Sequence, residues 1–192
     1  MEMEKYIGEG LMAFVPVYLD MRGNSTILYT SSSGEIEVYK STRTFLNRLG
    51  KYFLLDLKGS NKYYGELLGS NNGVPIPFNK DNIFIPIKVR KPISKNDGSL
   101  GYVNIKYIEK VGEEDGQGIV YLKFNIKIKS LNTMKTIEKH IKQGYIVEKF
   151  YEEKHGTTYE TDDFYSQSDK PATKGDIALL RQEILSIRET LH

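Results

Sequence analysis

From Ile83 to Arg90 the side chains alternate: Ile83, Ile85, Ile87 and Val89 fall on one side, Phe84, Pro86, Lys88 and Arg90 on the other. A period of two is the pattern of a β-strand with one face turned inward. Residues 91–98 (KPISKNDG) then carry Pro and an Asn-Asp-Gly run, residue types that suit a tight reversal. Val103, Ile105 and Tyr107 next alternate with Asn104, Lys106 and Ile108. The expectation is two strands sharing an apolar face, with Lys88, Arg90 and Lys106 on the outer one.

The same period appears over residues 118–129, where Val120, Leu122, Phe124, Ile126 and Ile128 alternate with Tyr121, Lys123, Asn125, Lys127 and Lys129. One long strand of an antiparallel sheet covered on one side is expected there. Residues 11–19 (LMAFVPVYL) read as an edge strand, because Pro16 cannot donate to a ladder. Residues 25–31 and 35–39 follow across Arg22-Gly23-Asn24 and Ser33-Gly34, which suggests a hairpin or meander.

Helical signals are fewer. Ser41 reads as an N-cap for a short helix over residues 41–49, with Phe45, Leu46 and Leu49 at helical spacing and Gly50 as a stop; a strand is the alternative for the same residues. Residues 59–69 (GSNKYYGELLG) are glycine-rich and read as a loop with a strand-like piece at 66–68. Residues 130–143 read as a helix whose stripe is Met134, Ile137 and Ile141, with Lys135, Lys139 and Lys142 outside and Gly144 as the stop. The fold class expected is therefore α+β: a mostly antiparallel β body, one or two short helices and a separate C-terminal helix.

Past that body, which spans residues 1–150, the composition changes. Residues 151–172 collect Glu152, Glu153, Glu160, Asp162, Asp163 and Asp169 among few aliphatics, and read as a flexible acidic linker. Residues 173–192 place Ile177, Leu180, Ile184, Ile187 and Leu191 at spacings of 3, 4, 3 and 4, a heptad seam. Asp176 and Glu183 fall at g and Arg181 and Arg188 at e, so two parallel copies would pair these charges. Homo-oligomerisation through this seam is one expectation. Docking of the same stripe on its own body, widened by Leu179 and Leu185, is the other.

Composition removes several function classes. The absence of cysteine rules out disulfides and thiolate metal sites. No apolar run approaches the ~20 residues needed to span a bilayer, and the acidic start MEMEKYIGEG is unlike a secretory signal. A cytoplasmic protein without a membrane partner is expected. His140, His155 and His192 lack a second ligand at i+4, so neither metal nor cofactor is expected. The glycine-rich 59–73 lacks the GKS/T ending of a phosphate loop, no G-x-S-x-G occurs, and Asp162-Asp163 reads as a solvated pair. The chain is read as non-enzymatic.

The cations carry more information than the net charge of +2. Between 40 and 65, Lys40, Arg43, Arg48, Lys51, Lys58 and Lys62 face Asp56 as the one acid of the 40–65 core, interleaved with Phe45, Tyr52, Phe53, Tyr63 and Tyr64. Lys88, Arg90, Lys91 and Lys95 follow. Such a surface attracts phosphate while an acidic tail competes with it. Lysines on alternate strand positions also keep a sheet soluble and blunt its edges, and charge alone does not choose between the two.

Residues 39–111 resemble the competence transcription factor (ComK) family. The resemblance lies in the order Lys58-Gly59 near Lys62, Pro75-Ile76, Ile83-Phe84-Ile85-Pro86, Arg90-Lys91-Pro92, and Tyr102-Val103 before Ile105. It departs where Ser60-Asn61 stands for the family's Arg-Lys and Tyr102 for its Trp. The resemblance implies a DNA-binding transcriptional regulator that reads A/T-rich sites through the minor groove as an oligomer. A minor groove narrowed by A-tracts attracts inserted Arg or Lys. Arg43, Arg48, Lys58, Lys62, Lys88, Arg90 and Lys91 are the DNA-binding candidates, with Arg43, Arg48 and Arg90 preferred for groove insertion. A proteolysis adaptor is a further partner implied by the family; Phe164-Tyr165 lies where its motif would fall, with residues that do not match. The alternative is a non-catalytic protein-interaction module assembling through the C-terminal helix.

Overall fold

The computed structural model describes residues 2–92 and 97–155. Residues 1–152 form one compact unit and 153–192 a second, of which only Glu153, Lys154 and His155 are described. The 173–192 helix and its heptad seam lie outside the described residues, as does residue 156 onward of the acidic linker. The linker's first five residues are not irregular: they end a long helix.

The body is α+β, as expected. In chain order it runs α1 (Glu2–Gly8), β1 (Leu11–Leu19), β2 (Gly23–Thr30), β3 (Gly34–Val38), α2 (Thr42–Tyr52) and α3 (Leu57–Leu68). Then follow β4 (Ile76–Asn79), β5 (Asn82–Lys88), β6 (Leu100–Asn104), a 3-10 turn (Ile105–Tyr107), β7 (Ile108–Glu114), β8 (Gln117–Leu122), β9 (Ile126–Lys129) and α4 (Met134–His155). Six strands pair in the order β3-β2-β1-β6-β5-β4, and β7-β8-β9 form a separate three-stranded sheet; every pair is antiparallel.

The β1–β2–β3 meander matches the turn signals at Gly23 and Gly34, but β1 is not an edge. It lies inside the sheet, and its ladder with β6 is limited to Ala13–Val103 and Phe14–Tyr102. Pro16 sits beyond that short ladder, where its missing N–H removes no bond to β6. Pro86 repeats the arrangement past the end of the β4 ladder, its free carbonyl accepting from His140 Nδ1 at 2.8 Å.

Neither face of the six-stranded sheet is open. Ile83, Ile85, Ile87 and Val103 bury one face against Ile137 and Val147 of α4, Tyr64 of α3, and Val120, Leu122 and Ile128 of the small sheet. Phe14, Leu28 and Phe84 bury the other against Tyr6 of α1 and Phe45 and Leu49 of α2. A bulge between Leu11 and Ala13 turns both Met12 and Ala13 to the first core. Burying one such side chain stabilises by about 1.5–3 kcal/mol, so two filled cores outweigh any solvent-facing role for β5. The expected basic outer face of β5 is thus mostly Phe84 and Pro86; Lys106 sits in the 3-10 turn, hydrogen-bonded to Asp81 at 2.7 Å.

Three helical expectations change. Gly50 does not stop α2 but is buried within it. Residues 59–69, read as a loop with a strand-like piece at 66–68, belong instead to α3 (Leu57–Leu68) and its cap: Asp56 caps the start by accepting from Lys58 N at 3.0 Å, and Gly69 closes it at φ 59°. Gly144 does not stop α4 either. A Cβ there would lie 2.8 Å from Ile105 Cγ2 and 3.0 Å from Ile85 Cγ2, so the glycine lets the helix lie on the sheet. Finally, residues 118–129 are not one strand but the β8–β9 hairpin, with Phe124 exposed in its connection.

Candidate nucleic-acid interface

Two helix beginnings and the start of one strand frame a recess. Ser41 caps α2 by accepting from Thr44 N at 3.2 Å, and Thr42 Oγ1 lies 3.2 Å from Thr26 Oγ1. Thr26 also donates to the Lys40 carbonyl at 2.8 Å, which ties the start of α2 to β2. That anchoring fixes Arg43 and, one turn on, Asn47. Opposite them the Asp56 cap fixes Lys58 and Asn61 on the first turns of α3. The cleft between has a volume of about 590 Å³. Its floor is apolar, built from Leu46, Leu57, Ile76, Leu100 and Tyr102, and its rim is Arg43, Asn47, Lys58 and Asn61 with Asp97 and Ser99. Burial pushes the Tyr102 phenol above its ordinary pKa, so it is neutral there. Neither helix has an acid in its first turn, but the Asp56 carboxylate that caps α3 offsets that helix's partial positive charge, so only the N-terminus of α2, capped by the neutral Ser41, adds to the rim.

A smaller recess of about 220 Å³ adjoins it, shared by Arg43 and Arg90 with Asn24, Ser41 and Asp97. Arg90 is held there: Nε donates to the Gly98 carbonyl at 2.9 Å and Nη2 to Asn24 Oδ1 at 2.6 Å. Asn24 Nδ2 donates in turn to Asp97 Oδ1. Its remaining nitrogen, Nη1, is buried with no hydrogen-bond partner among the described residues.

The structure divides the seven sequence-derived candidates. Arg43 and Lys58 line the cleft, Arg90 lines the adjoining recess, and Lys62 is exposed one turn beyond Lys58 on α3. Arg48 lines neither; its Nη1 is 3.5 Å from Glu2 Oε2 of α1. Lys88 ends β5, where its main chain donates to Asn132 Oδ1 at 2.6 Å and accepts from Ser130 Oγ at 2.9 Å; it pairs across the ladder with the cleft residue Leu100 but lines neither recess. Lys91 is exposed just beyond and lines neither. Asn47, Asn61, Leu100 and the Tyr102 floor were missed. The spacing Arg43–Asn47 and Lys58–Asn61–Lys62 was the available signal, but it requires knowing that 57–68 is a helix.

Among the described residues no group of three His, Asp or Glu is placed to hold a metal ion, and no helix is long and apolar enough to cross a membrane. No family model, no curated protein and no solved structure matches the chain.

Proposed function

We propose that this protein is a DNA-binding transcriptional regulator of the cytoplasm, related to the competence transcription factors. The observation that carries the reading is the convergence of Arg43 and Asn47 from α2 with Lys58 and Asn61 from α3 on one cleft. Cations at the rim bond phosphates, amides reach base edges, and the apolar floor accepts sugar faces. Arg43, Lys58 and Lys62 make the direct contacts, while Arg90 holds the Asn24–Gly98 wall. Preference for A/T-rich sites read through the minor groove follows from the family resemblance.

Fluorescence anisotropy of A/T-rich and G/C-rich duplexes at two salt concentrations tests it. Three phosphate contacts give a slope of log K against log salt of about −2.7. Arg43→Ala or Lys58→Ala flattens the slope by about 1. Absent or salt-independent binding refutes the proposal.

One observation favours the second reading, a protein-interaction module: α4 leaves Tyr145, Ile146 and Phe150 exposed. Partner capture and duplex binding measured side by side for the full chain and a chain ending at Lys170 separate the two: this reading loses partner capture on truncation, whereas the first retains residual duplex affinity.

A further inference from the structure

The β8–β9 hairpin holds an arrangement that neither core nor cleft uses. Its three-residue connection, Lys123-Phe124-Asn125, places Phe124 at φ 63° and Asn125 at φ 60°, and leaves Phe124 64% exposed. A bulky residue in the left-handed region is a backbone outlier, and this one gains no burial in return. Behind the tip, Lys110, Tyr121 and Lys127 are direct cross-strand neighbours on β7, β8 and β9. Lys110 Nζ lies 4.9 Å and Lys127 Nζ 5.4 Å from the Tyr121 ring centre, and Lys123 Nζ lies 5.9 Å from that of Tyr107. Of the nearby acids, Glu114 pairs with Lys129 at 3.7 Å and Glu109 shares the Lys110 recess. Lys110, Lys123 and Lys127 form no ion pair among the described residues.

This surface is remote from the cleft. Lys123 N donates to the Tyr107 carbonyl at 3.0 Å, and the Tyr107 hydroxyl lies against Gly10, just before β1. The cleft borders Leu100 at the start of β6. Since β1 and β6 are antiparallel, tip and cleft mark opposite ends of the six-stranded sheet.

We infer that the β8–β9 hairpin is a second nucleic-acid site, which takes single-stranded nucleic acid by stacking a base on Phe124 and pairing phosphates with Lys123, Lys127 and Lys110. Alternating ring and ammonium groups match a strand that alternates π-faces and phosphates. A duplex would offer this face phosphates alone, and an acidic protein would leave the Phe124 ring unused. The site goes beyond the cleft proposal and does not depend on it.

The test is anisotropy of a labelled oligothymidylate with the full chain, alongside Phe124→Asn, Lys123→Ala/Lys127→Ala, and the cleft variant Arg43→Ala/Lys58→Ala. Asparagine tolerates the left-handed region, so Phe124→Asn retains the fold. Loss of one stacked base weakens binding about tenfold in Phe124→Asn. The double lysine variant lowers the salt slope by about 1.4, as two phosphate contacts on a single strand require. The cleft variant binds the oligothymidylate like wild type. Unchanged affinity in Phe124→Asn overturns the inference, as does equal loss in the cleft variant. No oligothymidylate binding by wild type also overturns it, and leaves the tip to a protein partner. Duplex binding that is lost in the cleft variant while these outcomes hold would leave the first proposal standing alone.

Discussion

Replacing Gly144 by alanine tests how closely α4 lies on the sheet. On an exposed helix face this change stabilises by about 1 kcal/mol, because glycine is the poorer helix former. Here the new methyl would meet Ile105 Cγ2 at 2.8 Å and Ile85 Cγ2 at 3.0 Å, against side chains that are 2% and 0% exposed. Ordinary carbon contacts are about 3.5–4.0 Å, so the helix must retreat by most of an ångström. Overpacking of that kind costs about 1–3 kcal/mol, and the retreat also loosens Ile137 and Val147. The steric cost exceeds the propensity gain, so Gly144→Ala loses about 1 kcal/mol net and Gly144→Val, also β-branched, loses more. Urea denaturation monitored by circular dichroism reads this directly, and a domain of this size loses about 2–4 °C in Tm per kcal/mol. A gain of stability in Gly144→Ala, with an unchanged m-value, would refute the packing of α4 on β5 and the 3-10 turn.

Acidification is expected to weaken the fold through His140. Burial lowers the His140 pKa, opposed by its hydrogen bond to Pro86 and reinforced by Lys139. The unfolded chain then binds a proton that the folded chain resists, so stability falls as pH drops below about 6.5; the slope of Tm between pH 7 and 5.5 flattens in His140→Gln. Asp56→Ala removes the α3 cap and costs about 0.5–2 kcal/mol in denaturant unfolding; under the cleft reading duplex affinity falls with it. Arg48→Ala leaves duplex affinity within about twofold because Arg48 lines neither recess, and its surface pair with Glu2 adds little stability to lose, whereas Arg43→Ala weakens binding about tenfold at low salt.

The turn signals and hydrophobic period gave the strands of the meander and β5, but the second strand expected over Val103 to Ile108 ends at Asn104. Ile105–Tyr107 form a 3-10 turn whose side chains keep an apolar pattern without being a strand. The period misread residues 118–129 for a geometric reason. Leu122 pairs with Ile126 across three residues, so even-numbered side chains share a face before and after the reversal. A single strand and this hairpin therefore have the same pattern. Helix α3 was hidden by Gly59, Gly65 and Gly69, whose low propensity is overridden by the Asp56 cap and by burial of Tyr64. Gly144 and Gly50 looked like stops because the close approach each allows is a tertiary fact. At the cleft, Arg43 and Lys58 were legible as cations, but their convergence depends on α3 being helical. The same ignorance made Arg48 and Lys88 look equivalent to them.

The six-stranded sheet is sewn together at one narrow seam. The backbone ladder joins the meander to the β4–β6 half only where Ala13 and Phe14 pair with Val103 and Tyr102, some ninety positions apart in the chain. Phe14 stacks on Tyr102 at 4.9 Å, and that tyrosine is also cleft floor. Since α2 belongs to one half and Leu100 and Tyr102 to the other, neither half owns the cleft. A folding chain acquires it only when the most distant partners zip, and whatever occupies it thereafter works as a clasp on that join.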